Sequence, residues 1–465
     1  MSQTDNNENL KYPCLHVHVV EEGENSRNGE MRCEIGRNLK FNPFSLSTYF
    51  FAEWDPVMYD LLLIAASVEF CDRVMHRPKH GWTRLFHVRI PVHVPERWKE
   101  KKLYESLRDS IEFVTGDLWH FEFISRKHAV DRPAQCQLIL DREVSAVIPF
   151  SNGLDSCAVA ELKELELGSR LVRIRFKPNS NNQRKKTVYD KPFTAIPFSV
   201  QQGDNRFVET SARSRGFKFA LISGLAAYLT ETDKVIVTES GQGALGPVLV
   251  AVGQIWEDYR NYPLFTDRIE RFLKALLDRN IRYNFPQIWQ TKGETLKSYV
   301  TSCKDLPLTW NTTISCWQQN RQVSVNGKAR QCGICAACML RRLSIHAAGL
   351  VEPQNSYVWE NLSAVSFEAG ASVDFKKNKI TNAMREYAIA GTLHLEQIAG
   401  LTVPSGNRQM LTIRASELSK SLNMSLEETE NKLNRLLLHH KYEWENFVDS
   451  LGKASFVSKW AKQVA

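Results

Sequence analysis

The chain has 465 residues, of which 43% are apolar and 24% are charged, a composition typical of a globular protein that excludes a disordered or fibrous one. Its length allows roughly three domains, and its net charge of +8 permits an anionic partner without requiring one. The first residues, MSQTDNNENLKY, lack the apolar core of a signal peptide, and the longest apolar run, residues 61–68, is too short to span a bilayer. We therefore expect a cytoplasmic protein without a membrane segment.

The first part of the chain combines strand and helix patterns. Residues 1–12 are predicted to be disordered because they are polar and lack apolar periodicity. The patterns that follow predict strands at 14–20, 84–94 and 118–124 and helices at 55–74 and 101–116. No catalytic combination of residues stands out here, so residues 13–143 are interpreted as an α+β accessory domain.

From residue 144 the pattern changes to strands and helices in alternation. Strands are predicted at 144–150, 170–176, 234–240 and 281–286, and helices at 155–168, 215–231 and 266–280. Strands separated by helix-length segments predict βαβ units and a parallel sheet. The fold class is therefore α/β, and residues 144–350 are interpreted as one domain that includes the cysteine-rich segment 315–342.

Residues 351–465 are predicted to form a helical C-terminal region. Within it, residues 415–437 read as two helices joined at Asn-Met-Ser. That spacing is typical of any helical hairpin and also of a helix-turn-helix. Nucleic-acid binding through 415–437 therefore stays an alternative, although few basic residues lie on the second helix.

A polar loop between the strand at 144–150 and the next helix is the candidate ligand site. In VIPFSNGLDSCAVAEL, residues 147–162, the loop consists of Ser151, Asn152, Gly153, Leu154, Asp155 and Ser156. Ligands of parallel sheets bind beyond the carboxyl ends of strands, and the N-terminus of a helix attracts anions. The two hydroxyls can donate to a phosphate, and Gly153 allows a close approach of the backbone.

Asp155 indicates a cation in this 151–156 loop. A carboxylate beside a phosphate repels it unless a cation lies between them, so the loop predicts Mg²⁺. The alternative is that Ser151 or Asp155 only caps the helix. The loop is not a Walker A motif, since GxxxxGK[ST] is absent from the chain.

Four of the ten cysteines form a metal-binding pattern. Cys316 is followed after fifteen residues by Cys332-x2-Cys335-x2-Cys338. Four thiolates complete a tetrahedral Zn²⁺ site and leave no position for water, so the ion should be structural. An iron–sulfur cluster is the alternative, and disulfides are less expected in a cytosolic chain.

The loop resembles the SGGxDS loop of the PP-loop ATP pyrophosphatases, with Asn152 at its second position. Together with the cysteine segment it resembles the QueC family, the 7-cyano-7-deazaguanine synthases. Three segments between them agree in order with the family pattern: RGFKFALISGLAAY (215–228), YPLFTDRIERF (262–272) and FPQIWQTKGE (285–294). The resemblance covers about 145–350 and implies an adenine nucleotide α-hydrolase-like parallel sheet.

The resemblance also implies a reaction. Enzymes of this family use ATP to adenylate the carboxylate of 7-carboxy-7-deazaguanine and release pyrophosphate. By this resemblance, the candidates for binding pyrophosphate and Mg²⁺ are Ser151, Gly153, Asp155 and Ser156. Lys292 is then a candidate to neutralise phosphate charge, and Arg215 is a candidate to bind the substrate carboxylate. A solvated lysine at a helix end and a surface arginine are the alternatives for these two residues.

The chain also departs from the family pattern. Gly216 replaces an asparagine, and Leu264-Phe265 replaces Asp-Cys. About 140 residues precede the loop and about 115 follow the cysteine segment. This architecture resembles the QueC-like proteins of antiviral operons, such as QatC and the related enzymes of some cyclic-nucleotide-signalling (CBASS) systems. That resemblance implies a ligase that joins the deazapurine to an amine of a partner protein from the same operon. The alternatives are a nitrile synthase of queuosine biosynthesis and a degenerate module, suggested by Asn152, that binds without turnover.

Overall fold

The structure is a computed structural model that describes residues 12–41, 55–78, 80–128, 143–175, 193–195, 198–252, 256–305, 308–318, 323–353, 355–402 and 404–462. The disorder predicted for residues 1–12 falls outside these ranges, apart from Tyr12. Within them, no helix combines the length and the apolar character needed to cross a bilayer.

The secondary-structure elements are given in chain order. The strands are β1 (Cys14–Val20), β2 (Met31–Glu34), β3 (Leu39–Phe41), β4 (Leu85–Val92), β5 (Leu118–Ser125), β6 (Ala146–Pro149), β7 (Leu171–Arg175), β8 (Phe193–Ala195), β9 (Phe198–Val200), β10 (Lys234–Ile236), β11 (Arg282–Asn284), β12 (Ser324–Val325) and β13 (Lys328–Ala329). The α-helices are α1 (Pro56–Val74), α2 (Pro95–Lys99), α3 (Lys101–Thr115), α4 (Leu154–Leu167), α5 (Ser214–Leu229), α6 (Gly241–Ala244), α7 (Gly246–Leu249), α8 (Pro263–Leu277), α9 (Lys292–Ser302), α10 (Ala336–Ala347), α11 (Asn382–Gly400), α12 (Pro404–Ser421), α13 (Leu426–Leu451) and α14 (Phe456–Ala461).

The strands and helices predicted from periodicity are present with small shifts of their ends. The strand expected at 234–240 is limited to Lys234–Ile236, and residues 237–240 lie in a loop that follows it. The helix expected at 266–280 begins earlier, at Pro263, since proline fixes a helical φ at the first position of a helix. Residues 415–437 fall on α12 and α13, which form a helical hairpin.

The chain folds into two compact units, each assembled from three separate segments. The first unit comprises Met1–Pro149, Leu167–Val237 and Asp258–Asn284, and the second comprises Phe150–Glu166, Thr238–Glu257 and Phe285–Ala465. The domain boundaries drawn from the sequence at 143/144 and 350/351 stay predictions.

The first unit contains two parallel sheets. One has the order β2-β1-β4-β5 and the other the order β11-β10-β6-β7-β8, and the pairings in both are parallel. Helices α1 and α3 lie in the connections that lead to β4 and β5. Parallel neighbours need crossover connections, and helices supply those that lead to β4 and β5, while β1 and β2 are joined by residues 21–30 without a helix. The α+β domain expected at 13–143 stays a prediction.

The larger sheet reverses its strand order between β6 and β10. From β6 the chain proceeds outward to β7 and β8, and it then returns to place β10 on the other side of β6. Two segments that leave these neighbouring strands, residues 150–156 and 238–240, both belong to the second unit. Neighbouring parallel strands have their carboxyl ends at the same edge of the sheet, so these two segments begin side by side.

The second unit has a core shared by the cysteine segment and the C-terminal helices. Buried residues of both parts pack in one cluster, which contains Cys332, Cys335, Cys338, Val358, Trp359, Phe367, Leu395, Trp444, Phe447 and Phe456. Trp359 and Trp444 are fully buried aromatic anchors of this cluster. The cysteine segment is thus held by apolar packing as well as by whatever its thiols bind.

Candidate active site

Hydrogen bonds among its own groups fix the conformation of the 151–156 loop. The Ser151 and Ser156 hydroxyls share a hydrogen bond with Oγ atoms 3.0 Å apart, and the Gly153 N–H donates to Ser151 Oγ at 3.2 Å. A Cβ at Gly153 would lie 3.1 Å from that same Oγ, which is tighter than ordinary packing. A residue without a side chain at position 153 therefore fits the turn. The hydroxyls are positioned at the start of α4.

Asn152 is exposed, and its backbone anchors the loop. Its carbonyl accepts a hydrogen bond from the Ile314 N–H at 2.7 Å. Leu154, the next residue but one, is buried between helices. The loop is therefore fixed on both sides of Gly153 by groups of the second unit.

Packing between α4 and α9 sets the position of Asp155. Leu154, Cys157 and Ala158 recur at helical spacing on α4 and join Leu296 and Tyr299 of α9 in one buried cluster. This packing brings the first turns of the two helices together, with Asp155 on one and Lys292 on the other.

Asp155 is a buried carboxylate with two partners. Only 7% of the residue is exposed. The Ser240 hydroxyl donates to Oδ1 at 2.6 Å, and the Lys292 ammonium forms an ion pair with Oδ2. Both oxygens are thus engaged, in contrast to a carboxylate that only caps its own helix.

Lys292 is a buried cation in an acidic environment. Burial opposes its charge, but the carboxylates of Asp155 and Glu239 outweigh burial and raise the pKa of the Lys292 ammonium. It is therefore charged at neutral pH. A solvated lysine at a helix end would be exposed, whereas only 8% of Lys292 is.

The turn before α9 fixes Lys292 through its backbone. Thr291 caps the helix, with its hydroxyl accepting from the Glu294 N–H and the Glu294 carboxylate accepting from the Thr291 N–H. The Lys292 N–H donates to Gln242 Oε1 at 2.7 Å. A Cβ at Gly293 would lie 2.7 Å from Glu443 Oε1, so this position needs glycine.

Hydroxyls that follow β10 complete the cluster and were missed by sequence reasoning. Thr238 Oγ1 lies 3.4 Å from Ser156 Oγ, and Ser240 donates to Asp155 as described. The sequence TES (238–240) was interpreted as the end of a strand. One signal in the sequence could have found them: Thr238, Glu239 and Ser240 are polar residues that directly follow a buried strand, as the 151–156 loop does.

Arg215 lies in the first unit, at the beginning of α5. Its guanidinium is 5.1 Å from the ring of Phe219. Packing around the next residue, Gly216, explains why glycine replaces the asparagine of the family pattern. A Cβ at Gly216 would lie 2.6 Å from the Arg260 side chain, so an asparagine would require Arg260 to move. Arg260 in turn pairs with Asp258.

The four cysteines of the predicted metal site lie together. Their sulfur atoms are all within 4.8 Å of one another, and three of the four residues are buried. Backbone N–H groups of Cys332 and Gln318 donate to Cys316 Sγ, and those of Ile334 and Cys335 donate to Cys332 Sγ. Such donors stabilise thiolates, so this cluster is able to bind zinc.

Arg341, which follows the cysteines on α10, has a structural environment. Its guanidinium donates to Thr313 Oγ1 at 2.6 Å and to the Trp310 carbonyl at 3.2 Å, and it pairs with Glu352 at 3.3 Å. The residue is 1% exposed. It ties α10 to the segment that precedes Cys316.

A second buried carboxylate lies beside the Thr291 turn. Glu443 of α13 accepts a hydrogen bond from Thr291 Oγ1 at 2.6 Å, and burial raises the pKa of Glu443 to about 7. Nearby, burial lowers the pKa of His440 to about 4. His440 Nδ1 accepts from Gln242, the residue that also contacts the Lys292 backbone. Helix α13 thus supports the turn that presents Lys292.

Replacing Glu443 by glutamine should change the pH dependence of stability. The folded pKa of Glu443 lies above its ordinary value of 4.5, so the folded state retains a proton that the unfolded state loses. Its contribution is present below pH 4.5 and is lost as the pH rises toward 7. We expect Glu443→Gln to be more stable than the parent at pH 8, by about 1 to 3 kcal/mol, and similar to it at pH 4.5.

Urea denaturation of both proteins at the two pH values measures this difference. Comparison with the parent cancels the opposite contribution of His440, which stays neutral in the folded state. An equal difference at both pH values would contradict the shifted titration of Glu443.

One family model matches the chain. Residues 242–349 match the model described as "Queuosine biosynthesis protein QueC". The matched segment includes Lys292, Arg341 and the four cysteines, and it begins after the 151–156 loop and Arg215. No solved structure matches the chain.

Proposed function

We propose that this chain, which is QueC-like in residues 242–349, is an ATP-dependent enzyme that adenylates a deazapurine carboxylate and passes the acyl group to an amine. The observation that carries the proposal is the buried cluster of Asp155, Lys292 and Ser240 beside the loop hydroxyls. The matched family consists of ATP-using PP-loop enzymes. The cluster supplies the charges that the handling of a triphosphate needs.

The reaction follows from the chemistry of a carboxylate. A carboxylate oxygen attacks the α-phosphorus of ATP, the bond between that phosphorus and the bridging oxygen breaks, and pyrophosphate leaves. The amine nitrogen then attacks the acyl carbon, AMP departs with the electron pair of the broken C–O bond, and the nitrogen loses a proton. Activation is needed because the charge of the free carboxylate repels nucleophiles and oxide is a poor leaving group.

The loop and Lys292 have separate tasks in this proposal. The hydroxyls of Ser151 and Ser156 and the N-terminus of α4 receive the departing pyrophosphate. Asp155 is the residue that would hold Mg²⁺, which supplies charge neutralisation on the triphosphate. Lys292 pairs with Asp155 in the structure, and its ammonium would contact a phosphate oxygen if ATP were bound and a metal ion occupied the carboxylate.

The proposed acceptor is an amine of a partner protein encoded with this chain, in antiphage defence. It rests on the resemblance to QatC-like proteins and on the residues outside the matched segment, since ordering large additional regions is costly unless they contact something. Joining the acyl group to a protein amine stops at an amide and consumes one ATP. A cytoplasmic location suits this proposal.

A nitrile synthase of queuosine biosynthesis is the second candidate, favoured by the description of the matched family. In that reaction ammonia is the amine, and a second ATP converts the amide to a nitrile. The substitutions Gly216 and Leu264-Phe265 distinguish this chain from the family pattern, and Phe265 is fully buried. A binding module without turnover, suggested by Asn152, is the remaining alternative.

ATP–pyrophosphate exchange tests the first step. With 7-carboxy-7-deazaguanine, Mg²⁺ and ATP, we expect labelled pyrophosphate to enter ATP only when the acid is present. Guanine, which lacks the carboxylate, is the matched control and should give no exchange. Ligand binding without exchange would overturn the proposal in favour of a binding module.

Mass spectrometry tests the second step. Co-expression with the neighbouring operon proteins should produce a protein whose mass is increased by one deazapurine acyl group. The purified chain with ammonia should form amide and no nitrile. Formation of the nitrile without any protein adduct would favour queuosine biosynthesis.

A further inference from the structure

The exposed face of the smaller sheet in the first unit carries a row of imidazoles. Strands β1, β4 and β5 pair in parallel with His16 opposite His87 and His87 opposite His120. The next residues, Val17, Val88 and Phe121, point to the other face and are buried. The histidine row therefore lies on the face that alternation leaves polar.

The rings in this row are stacked. The centroids of His16 and His87 are 4.5 Å apart with an angle of 6° between the ring planes, and His87 stacks on His120 at 4.9 Å. Register alone brings them together, because residues opposite each other in neighbouring strands lie side by side. Three adjacent imidazoles in register are not required by the packing of the buried face.

Cys14 extends the row along β1. It lies two residues before His16, on the same face, and its sulfur is 3.6 Å from His16 Nε2. One ligand atom each from Cys14, His16 and His87 lies within 4.8 Å of the others. In a tetrahedral zinc site, bonds of about 2.0 to 2.3 Å place the ligand atoms roughly 3.3 to 3.8 Å apart, so the sulfur and the His16 nitrogen already have that spacing.

We propose that Cys14, His16 and His87 form a second metal site, which binds a divalent transition-metal ion such as Zn²⁺ independently of the four-cysteine cluster. One thiolate and two imidazoles are the donors that such ions prefer over Mg²⁺ or Ca²⁺. Since the two rings now lie parallel, one of them turns about its side-chain torsions to direct its nitrogen at the ion. Exposure of Cys14 and His16 permits that rotation.

The site has three protein ligands and is open to solvent. The fourth position of the ion is therefore available to water or to an external ligand, in contrast to the four-cysteine cluster, whose ligands complete the coordination. The ion would also join β1 to β4, whose residues 14 and 87 are far apart in the chain. This inference does not depend on the adenylation proposed above.

Cobalt titration of the full chain tests the site. The chain is first loaded with Zn²⁺ and then dialysed against a weak chelator until one Zn²⁺ per chain remains, which keeps the four-cysteine cluster filled and empties the three-ligand site. We expect one further Co²⁺ per chain, with the near-ultraviolet absorption of a thiolate-to-cobalt bond. Cys14→Ser should abolish that absorption, and both Cys14→Ser and His87→Ala should weaken Co²⁺ binding at least about tenfold.

His18→Ala is the matched control. His18 lies on the same strand and face, but its Nδ1 accepts from the Arg27 N–H and lies 3.4 Å from Glu30. Its replacement should change Co²⁺ affinity less than about twofold, and circular dichroism should show each variant folded. A parent chain that binds no further Co²⁺, or thiolate absorption that persists in Cys14→Ser, would overturn the site.

Discussion

Replacement of Asp155 by asparagine is expected to lower the rate of ATP–pyrophosphate exchange by at least about 100-fold. Asparagine preserves the shape of the side chain and can still accept from Ser240, but it removes the charge that pairs with Lys292 and that would hold Mg²⁺ in the proposed reaction. Losses of this order follow the removal of one electrostatic contact to a transition state. Exchange is measured with 7-carboxy-7-deazaguanine at saturating ATP.

Glu166→Gln is the matched control for this variant. It makes the same change of carboxylate to amide on the same helix, at an exposed residue paired only with Lys163 in the contacts described. Its exchange rate should equal that of the parent. An Asp155→Asn protein that exchanges as fast as Glu166→Gln would remove Asp155 from the mechanism.

Stability separates the chemical role of the pair from its structural role. Loss of one partner leaves the other charge buried, which costs about 3 to 5 kcal/mol. Asp155→Asn combined with Lys292→Met removes both charges and should recover most of that loss in urea denaturation, while exchange stays absent. Recovery of stability without recovery of exchange would assign catalytic importance to the charges themselves.

Loss of the zinc that the four-cysteine cluster is able to bind is expected to have the largest effect on stability. Structural zinc contributes apparent binding energies of about 10 to 16 kcal/mol in small zinc domains, and part of that energy maintains the fold. Cys335→Ser should lose the tightly bound zinc and destabilise the chain by at least about 4 kcal/mol. The loss of structure should extend to the C-terminal helices, because Cys335 shares a hydrophobic core with Trp359 and Trp444.

Zinc content by mass spectrometry and urea denaturation measure the two effects. Cys33→Ala is the matched control, since Cys33 is a buried thiol of the first unit outside the cluster. It should retain the tight zinc and cost about 1 kcal/mol for a small cavity. The structural role of zinc would be contradicted if Cys335→Ser unfolded at the same urea concentration as the parent.

Local signals in the sequence determined the elements and the two motifs. Alternation over Cys14–Val20 and helical periodicity over Pro56–Val74 predicted those elements because each depends on neighbours in the chain. The spacing of Cys332, Cys335 and Cys338 predicted their clustering for the same reason, since a CxxC turn brings two sulfurs together. The 151–156 loop was visible as a polar turn between a strand and a helix.

Only the tertiary structure decided which distant residues accompany that loop. Ser240 and Lys292 reach Asp155 because the segment after β10 and the packing of α4 on α9 converge on it. Glu443 contacts Thr291 across 152 residues of sequence. No local pattern encodes such pairs, since they depend on strand order and helix packing. The same reason explains the parallel pairing of β1 with β4, which periodicity alone does not show and which places Cys14 and His16 beside His87.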